Sequence, residues 1–345
     1  MRLQATRASV TSGGGAIDAL YRAAGGKPTL DQRFAKDKSL IDKISGSNLI
    51  TFSRASSGTF VGSNGSIQTA GVDVPRFDHD PVTGESLGLL IEGERTNLFL
   101  NSGTLSTQAV TSTAVDYALS FYGTGTVTLS GNATGSLTGT GANERVSLVV
   151  TATAGTITAT VVGTVENGQF EAGSFPSSYI STSGSTATRS PDLTTIEGTN
   201  FTGGWYNQSE GTIFTDISPL ATSSGRGYLF SNGSNGQRLG QNADSTTGFA
   251  LFMFNGGITS LAAAVSGMPK AIKACLAYKS GSSRGAIDGD LQTLSTTSNV
   301  PDAIDQVGIG FQNYAGSSGF LNGHIKRLAY FSTRKTDAEL SEMSS

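Results

Sequence analysis

The sequence predicts an all-β protein built as tandem antiparallel β-sandwiches of the jelly-roll kind, preceded by a short N-terminal segment. Three observations carry that expectation. Charged residues make up only 14% of the chain, against roughly 25% in an ordinary soluble domain. Gly is 46 of 345, and Ser plus Thr add about 87, so small polar residues separate short apolar runs. Those runs favour Thr, Val and aromatics, the residues that suit a pleated, half-buried surface. The 17 Phe and 9 Tyr within a 37% apolar fraction supply enough surface to close a core, which separates this chain from a disordered Ser/Gly-rich one.

At 345 residues the chain is long enough for two or three domains. Residues 1–48 are mixed in character. Ala16–Tyr21 admits a short helix ended by Gly25-Gly26. The following stretch, with Leu30, Gln32, Phe34, Ile41 and Ile44, fits a strand or a helical stripe equally well. Because it is Gly-interrupted and weakly apolar, this segment is expected to depend on a partner for order.

From Asn48 the pattern turns β, and residues 49–100 read as a hairpin-rich linker domain. Leu49–Arg54 is a strand, and Thr59–Val61 and Ser66–Thr69 flank Gly62-Ser63-Asn64-Gly65, where Asn-Gly is a strong hairpin signal. Pro75–Asp78 and Leu87–Ile91 flank Asp80-Pro81-Val82-Thr83-Gly84, with Asp, Pro and Gly each at the turn position it favours.

Residues 101–190 form a low-charge unit with only Asp116, Glu144, Arg145, Glu166, Glu171 and Arg189 charged. Tyr117–Phe121, Thr126–Leu129, Arg145–Val150 and Thr156–Val162 alternate as strands with turns at sandwich spacing. Residues 191–345 read as a second sandwich. Its strands include Gly211–Ile217, Gly227–Phe230, Phe249–Phe254 and Gly323–Phe331, and a tight turn sits at Asp288-Gly289. A final helix opens at Thr336 with Glu339 three residues on, a capping box.

Several function classes are disfavoured. Lys+Arg 23 against Asp+Glu 26 leaves a net charge of -3, without the basic surplus that phosphate binding needs, so nucleic acid is not expected as a partner. No run approaches the ~20 apolar residues of a membrane span, so no membrane insertion is expected. Met1–Arg7 lacks the apolar stretch of a signal peptide, so the chain is expected to be made in the cytosol and not exported by the usual route. The one cysteine, Cys275, makes no internal disulfide and reads as a buried strand residue.

With two histidines, His79 and His324, neither a His-rich metal site nor a Ser/His/Asp triad is favoured, and no nucleophile elbow is present. Asp78-x-Asp80 resembles a calcium loop but lacks a full ligand set. Glu166, Glu171, Glu210 and Asp216 are carboxylates of which no spacing selects a hydrolytic pair. No catalytic residue, metal or cofactor is expected.

Sugar binding needs aromatic faces beside amides and hydroxyls. Trp205 and Tyr206 in Gly203–Gln208, and Asn313 and Tyr314 in the polar loop Gly310–Gly319, are the candidate carbohydrate-binding residues. Core packing is the alternative for Trp205, and the Phe249–Phe254 alternation reads as core.

Three blocks occur together: Leu49-Ile-Thr-Phe-Ser-Arg-Ala-Ser; Pro75-Arg-Phe-Asp-His-Asp-Pro-Val-Thr-Gly-Glu; and Gly88-Leu-Leu-Ile-Glu-Gly-Glu-Arg-Thr-Asn-Leu. The set resembles a bacteriophage family of tail fibre, tail spike and head spike structural proteins. Gln169–Ile180 with Thr188-Arg-Ser-Pro-Asp is similar to the close of that family's carbohydrate-binding-module-like jelly roll. Leu321–Phe331 with Asp337-Ala-Glu-Leu resembles a concanavalin A-like, laminin G-like sandwich. The resemblance covers roughly residues 28–345. It implies a virion protein, anchored to other virion proteins through its N-terminal segment, assembled as a homo-oligomer with a trimer expected, and adhering to host surface polysaccharide. A capsid decoration protein without ligand and a capsule depolymerase are the alternative readings.

Overall fold

A computed structural model describes residues 17–220, 225–233, 237–244, 248–255, 258–262, 270–292, 299–313 and 318–345. The all-β class holds. Strands dominate, and the helices among the described residues are four short ones.

The larger sandwich has two antiparallel sheets. One contains eight strands, ordered Asp290–Gln292, Arg284–Ile287, Ile272–Lys279, Glu210–Pro219, Gly323–Phe331, Ser86–Ile91 and Phe77–His79, with Leu30–Gln32 also paired to Gly323–Phe331. The other contains seven, ordered Thr51–Ser53, Leu193–Glu197, Gln306–Ile309, Gly225–Ser231, Gln237–Asp244, Gly248–Asn255 and Ile258–Ala262. Ile213, Leu276, Leu328 and Tyr330 from the first face Ile196, Phe230, Leu251 and Val307 from the second in one core. Each such side chain contributes about 1.5–3 kcal/mol relative to exposure.

The first sheet is apolar on both faces. Phe214, Cys275, Ala329 and Phe331 point away from the main core. They are covered by Leu20 and Ala23 of the helix Ala19–Ala23 and by Leu340 and Met343 of the helix Asp337–Ser344. Cys275 is buried there as expected. The capping box forms as read from sequence: Thr336 accepts from Glu339 N, and the Glu339 carboxylate accepts from Thr336 N at 2.7 Å.

The smaller sandwich lies within residues 98–186. A four-stranded sheet (Gly135–Thr138, Thr126–Gly131, Gly155–Val162, Gln108–Ser112) packs on a three-stranded one (Gly141–Thr151, Asp116–Gly123, Val165–Ala172). Leu119, Phe121, Val127, Leu129, Ile157 and Phe170 fill the space between. The chain enters and leaves this unit through two strands that pair with each other, Arg95–Asn97 and Ala187–Arg189.

The strands of residues 49–100 are not gathered in one sheet of their own. Thr51–Ser53 pairs with Leu193–Glu197, and Ser86–Ile91 pairs with Gly323–Phe331. Gly58–Val61 and Ile67–Ala70 make a separate hairpin about Asn64-Gly65, as expected. The large sandwich is thus assembled from chain on both sides of the small one.

Residues 17–48 make contacts with the rest of this chain. Leu30–Gln32 pairs with Gly323–Phe331. Arg327 makes ion pairs at 2.8 Å with Asp18 and with Asp31. Helix and strand readings of the 29–48 stretch both find a place, since Phe34–Asp37 is helical. Residues 1–16 lie outside the described residues.

Candidate functional site

Of the candidate carbohydrate-binding residues, the three described ones, Trp205, Tyr206 and Asn313, do not form a shared exposed surface. Trp205 is 6% exposed, in contact with Phe201, Phe230 and Tyr330, and its Nε1 donates to Asn200 O at 2.9 Å. Of the two readings of Trp205, core packing and open platform, the structure has the core position. The physical reason is local: a single helical turn, Thr199–Thr202, precedes Gly203-Gly204 and folds the indole back onto Phe201. Tyr206 stacks on Phe230 in the same aromatic group and is partly buried. Asn313 is half-buried and accepts from Ser231 Oγ at 3.1 Å, a brace within the loop. Tyr314 lies outside the described residues.

A groove of about 310 Å³ runs beside Trp205, lined by Ile44, Leu49, Thr29, Asp42, Asn200 and the two glycines. Three of its polar side chains have partners inside the fold. Thr29 donates to Trp205 O, Asn200 to Leu49 O, and Asp42 accepts from the Asp31 and Ser45 amides.

A second cleft, of about 160 Å³, sits where the three parts of the chain meet. The hairpin contributes Thr59, Phe60, Val61 and Ile67. The large sheet contributes Asp78, Leu90, Glu92 and His324. The small sandwich contributes Tyr122 and Arg145, and its return segment Pro176–Tyr179 closes one side. Tyr122 projects here because alternate residues of Asp116–Gly123 face opposite ways: Tyr117, Leu119 and Phe121 fill the core, which puts Tyr122 on the other face.

The floor of this cleft is held by buried charge. Arg54, Arg76, Arg189, Glu92 and Asp192 have side chains that are at most 1% exposed. Arg76 pairs with Glu92 at 2.8 Å and also with Asp192; Arg54 pairs with Asp192 at 3.0 Å, and Arg189 with Glu92 at 3.5 Å. Ser178 N and Oγ both donate to Glu92, at 2.8 and 2.6 Å. Burial alone pushes the Glu92 carboxyl up. The guanidiniums of Arg189 and Arg76, with the Ser178 bonds, outweigh it and hold the group well below the usual carboxylate range. These five residues come from the sequence blocks that carry the virion-protein resemblance. Their role in the fold is structural, because they tie the hairpin, the large sheet and the small sandwich to one point.

Around the opening, His324 Nε2 lies 2.8 Å from Asp78 Oδ2, while Asp78 Oδ1 accepts from Val61 N at 2.6 Å. His79 is not part of the opening; its Nδ1 lies 3.1 Å from Val61 O. Arg145 donates to Ser177 O at 2.6 Å and to Ser120 Oγ at 2.9 Å, and its Nε is buried without a partner. Desolvation raises the Tyr122 hydroxyl above its ordinary range; Arg145 opposes this and Asp78 adds to it.

The hydroxyls of Ser177 and Ser178 donate to Glu171 and Glu92, and His324 Nε2 faces Asp78, so neither of these serines is set on the imidazole as a triad requires. The other candidate carboxylates are dispersed. Glu166 is exposed, Glu210 faces Lys279 on the large sheet, and Asp216 lines a separate cavity with Arg327 and Met343. Asp78 and Asp80 are committed to different partners, since Asp80 accepts from the Val82 and Thr83 amides. Among the described residues no cluster of three His, Cys, Asp or Glu is placed to hold a metal.

No protein-family model matches the chain, and no curated protein sequence matches it. Solved structures do show partial likeness. The CBM40 module of the Ruminococcus gnavus IT-sialidase is 15% identical over 40% of this chain and 84% of its own, with a TM-score of 0.36. Domain 4 of AbnA, a GH43 arabinanase from Geobacillus stearothermophilus, is 9% identical over 50% of this chain and 82% of its own, also at 0.36. The Trypanosoma rangeli sialidase is 12% identical over 44% of this chain and 25% of its own, at 0.35. Likeness at this level bears on no ligand.

Proposed function

We propose that this chain is a subunit of a bacteriophage particle, a fibre or spike, that adheres to a host-surface glycan seated in the junction cleft. The observation that supports the reading best is the composition of that cleft. The aromatic rings of Phe60 and Tyr122 share one opening with Arg145, His324 and Asp78, and pyranose recognition combines an apolar face with directional polar groups in this way. The resemblance of the sequence blocks to fibre and spike proteins supplies the virion setting. Anchoring to other virion proteins through the N-terminal segment and assembly as a trimer belong to the same proposal.

The test is a glycan array probed with the full chain and with Tyr122→Ala. Tyr122 is only half-buried, so its truncation should leave the melting temperature nearly unchanged. It should weaken glycan retention about tenfold or more, by analogy with the 1–3 kcal/mol of aromatic stacking on nucleobases. Retention of no glycan would overturn adhesion and favour a decoration protein. Release of reducing ends from a host polysaccharide would favour a depolymerase.

A further inference from the structure

Among the described residues lining the junction cleft, Arg145 carries the one charge that has no counter-charge in contact. Every carboxylate nearby is matched elsewhere. Glu92 is held by Arg76 and Arg189, and Asp78 contacts His324. Glu171, behind the return segment, accepts from Ser177 N, Ser177 Oγ and Gln169 Nε2 and faces Arg95 at 3.6 Å.

Arg145 itself donates only to neutral acceptors, Ser177 O and Ser120 Oγ; Glu171 feels its charge through space, but among the described residues no carboxylate is in ion-pair contact with it. Its Nε, out of solvent, bonds to nothing. A guanidinium has five donors in a planar fork that suits a carboxylate. Leaving a half-buried one without an anion is costly unless something else supplies the charge.

We propose that the ligand of the junction cleft carries a carboxylate. It is an acidic sugar unit whose anion pairs with Arg145 while its ring lies against Tyr122. This deepens the glycan-adhesion reading and rests on it. Charge-assisted bonds to a guanidinium are about twice as strong as neutral ones, so the carboxylate selects among host polysaccharides that otherwise share ring shape.

The experiment uses the full chain and an array on which each uronic-acid glycan is paired with its parent hexose, the two differing only in carboxylate against CH₂OH. In parallel, the Arg145 Nε–H resonance is followed by NMR as methyl glucuronide or methyl glucoside is added. The acidic members should be retained at least tenfold better, and the glucuronide alone should shift the Nε–H resonance to saturation. Arg145→Gln should erase the preference while keeping residual retention of neutral partners, and Arg145→Lys should keep part of it. Because the resonance is read on the wild type, a folding defect in Arg145→Gln leaves the test intact. Equal retention of acidic and neutral partners, or a preference that survives in Arg145→Gln, overturns this inference and leaves adhesion standing. Retention of no glycan overturns both.

Discussion

Individual residues show how this chain uses charge. The buried group of Arg54, Arg76, Arg189, Glu92 and Asp192 lies out of water, where each ion alone would be expensive and only mutual pairing makes the set tolerable. Removing one member therefore does more harm than its contact distance suggests. Asp192→Ala leaves Arg54 and Arg76 without their shared carboxylate and should cost about 3–5 kcal/mol in urea unfolding. Trp205→Ala should cost a similar ~3–5 kcal/mol through the cavity it leaves among Phe201, Phe230 and Tyr330. A melting temperature unchanged by that substitution would contradict the core placement. Acid stability follows from Glu92. Its folded pKa lies below the ordinary 4.5, so below that pH the unfolded chain binds the extra proton. The stabilisation is complete above about pH 4.5 and is lost as pH falls toward the folded value. Buried Glu171 and half-buried Asp216 are shifted upward, mainly by desolvation, and act with opposite sign. Midpoints of wild type and Glu92→Gln between pH 6 and pH 3 should converge as the pH drops; parallel curves would remove Glu92 from the acid response.

At the scale of elements, local signals were legible and distant ones were not. The Asn64-Gly65 hairpin, the Asp288-Gly289 turn with both residues at positive φ, the capping box at Thr336 and the alternation of Thr126–Leu129 all lie within a few neighbouring residues and depend on short-range chemistry. Several pairings that build the large sandwich join segments more than a hundred residues apart, such as Thr51–Ser53 with Leu193–Glu197, and periodicity carries no trace of such partner choice. The same gap hid the cleft. Tyr122, Arg145, Asp78 and His324 come from distant segments, and no spacing rule joins them. Trp205 has the sequence surroundings of an exposed loop, Gly and Asn, yet glycines there let the backbone fold over the ring. Gly88 illustrates the reverse case: at φ +98, an added Cβ would collide with the Ile325 carbonyl on the neighbouring strand. Gly88→Ala should destabilise the chain by at least ~1–3 kcal/mol, read by urea midpoint; a loss near zero would mean the Ser86–Ile91 strand adapts freely.

For the whole molecule, the assembly of the large sandwich from both sides of the small one decides which pieces can stand alone. The fragment 191–345 lacks Leu30–Gln32, Thr51–Ser53, Phe77–His79 and Ser86–Ile91, and so exposes sheet edges and leaves out the core side chains Leu30, Leu89 and Ile91. Expressed alone it should show no cooperative melt, whereas the fragment 98–186 retains a complete core of its own and should melt as one unit. Circular dichroism of the two fragments checks this; a cooperative transition in 191–345 would mean the N-terminal strands are dispensable.

The paired strands Arg95–Asn97 and Ala187–Arg189 hold the two ends of the small sandwich side by side, so joining them across a different insert costs little loop-closure entropy. The small sandwich is in that sense a cassette. It carries Tyr122 and Arg145 into the cleft, while the buried arginines of the frame stay where they are. Exchange of this stretch alone would replace the side chains it lends to the cleft without rebuilding the large sandwich, so the cleft lining can change by exchange of a segment and not only by gradual substitution.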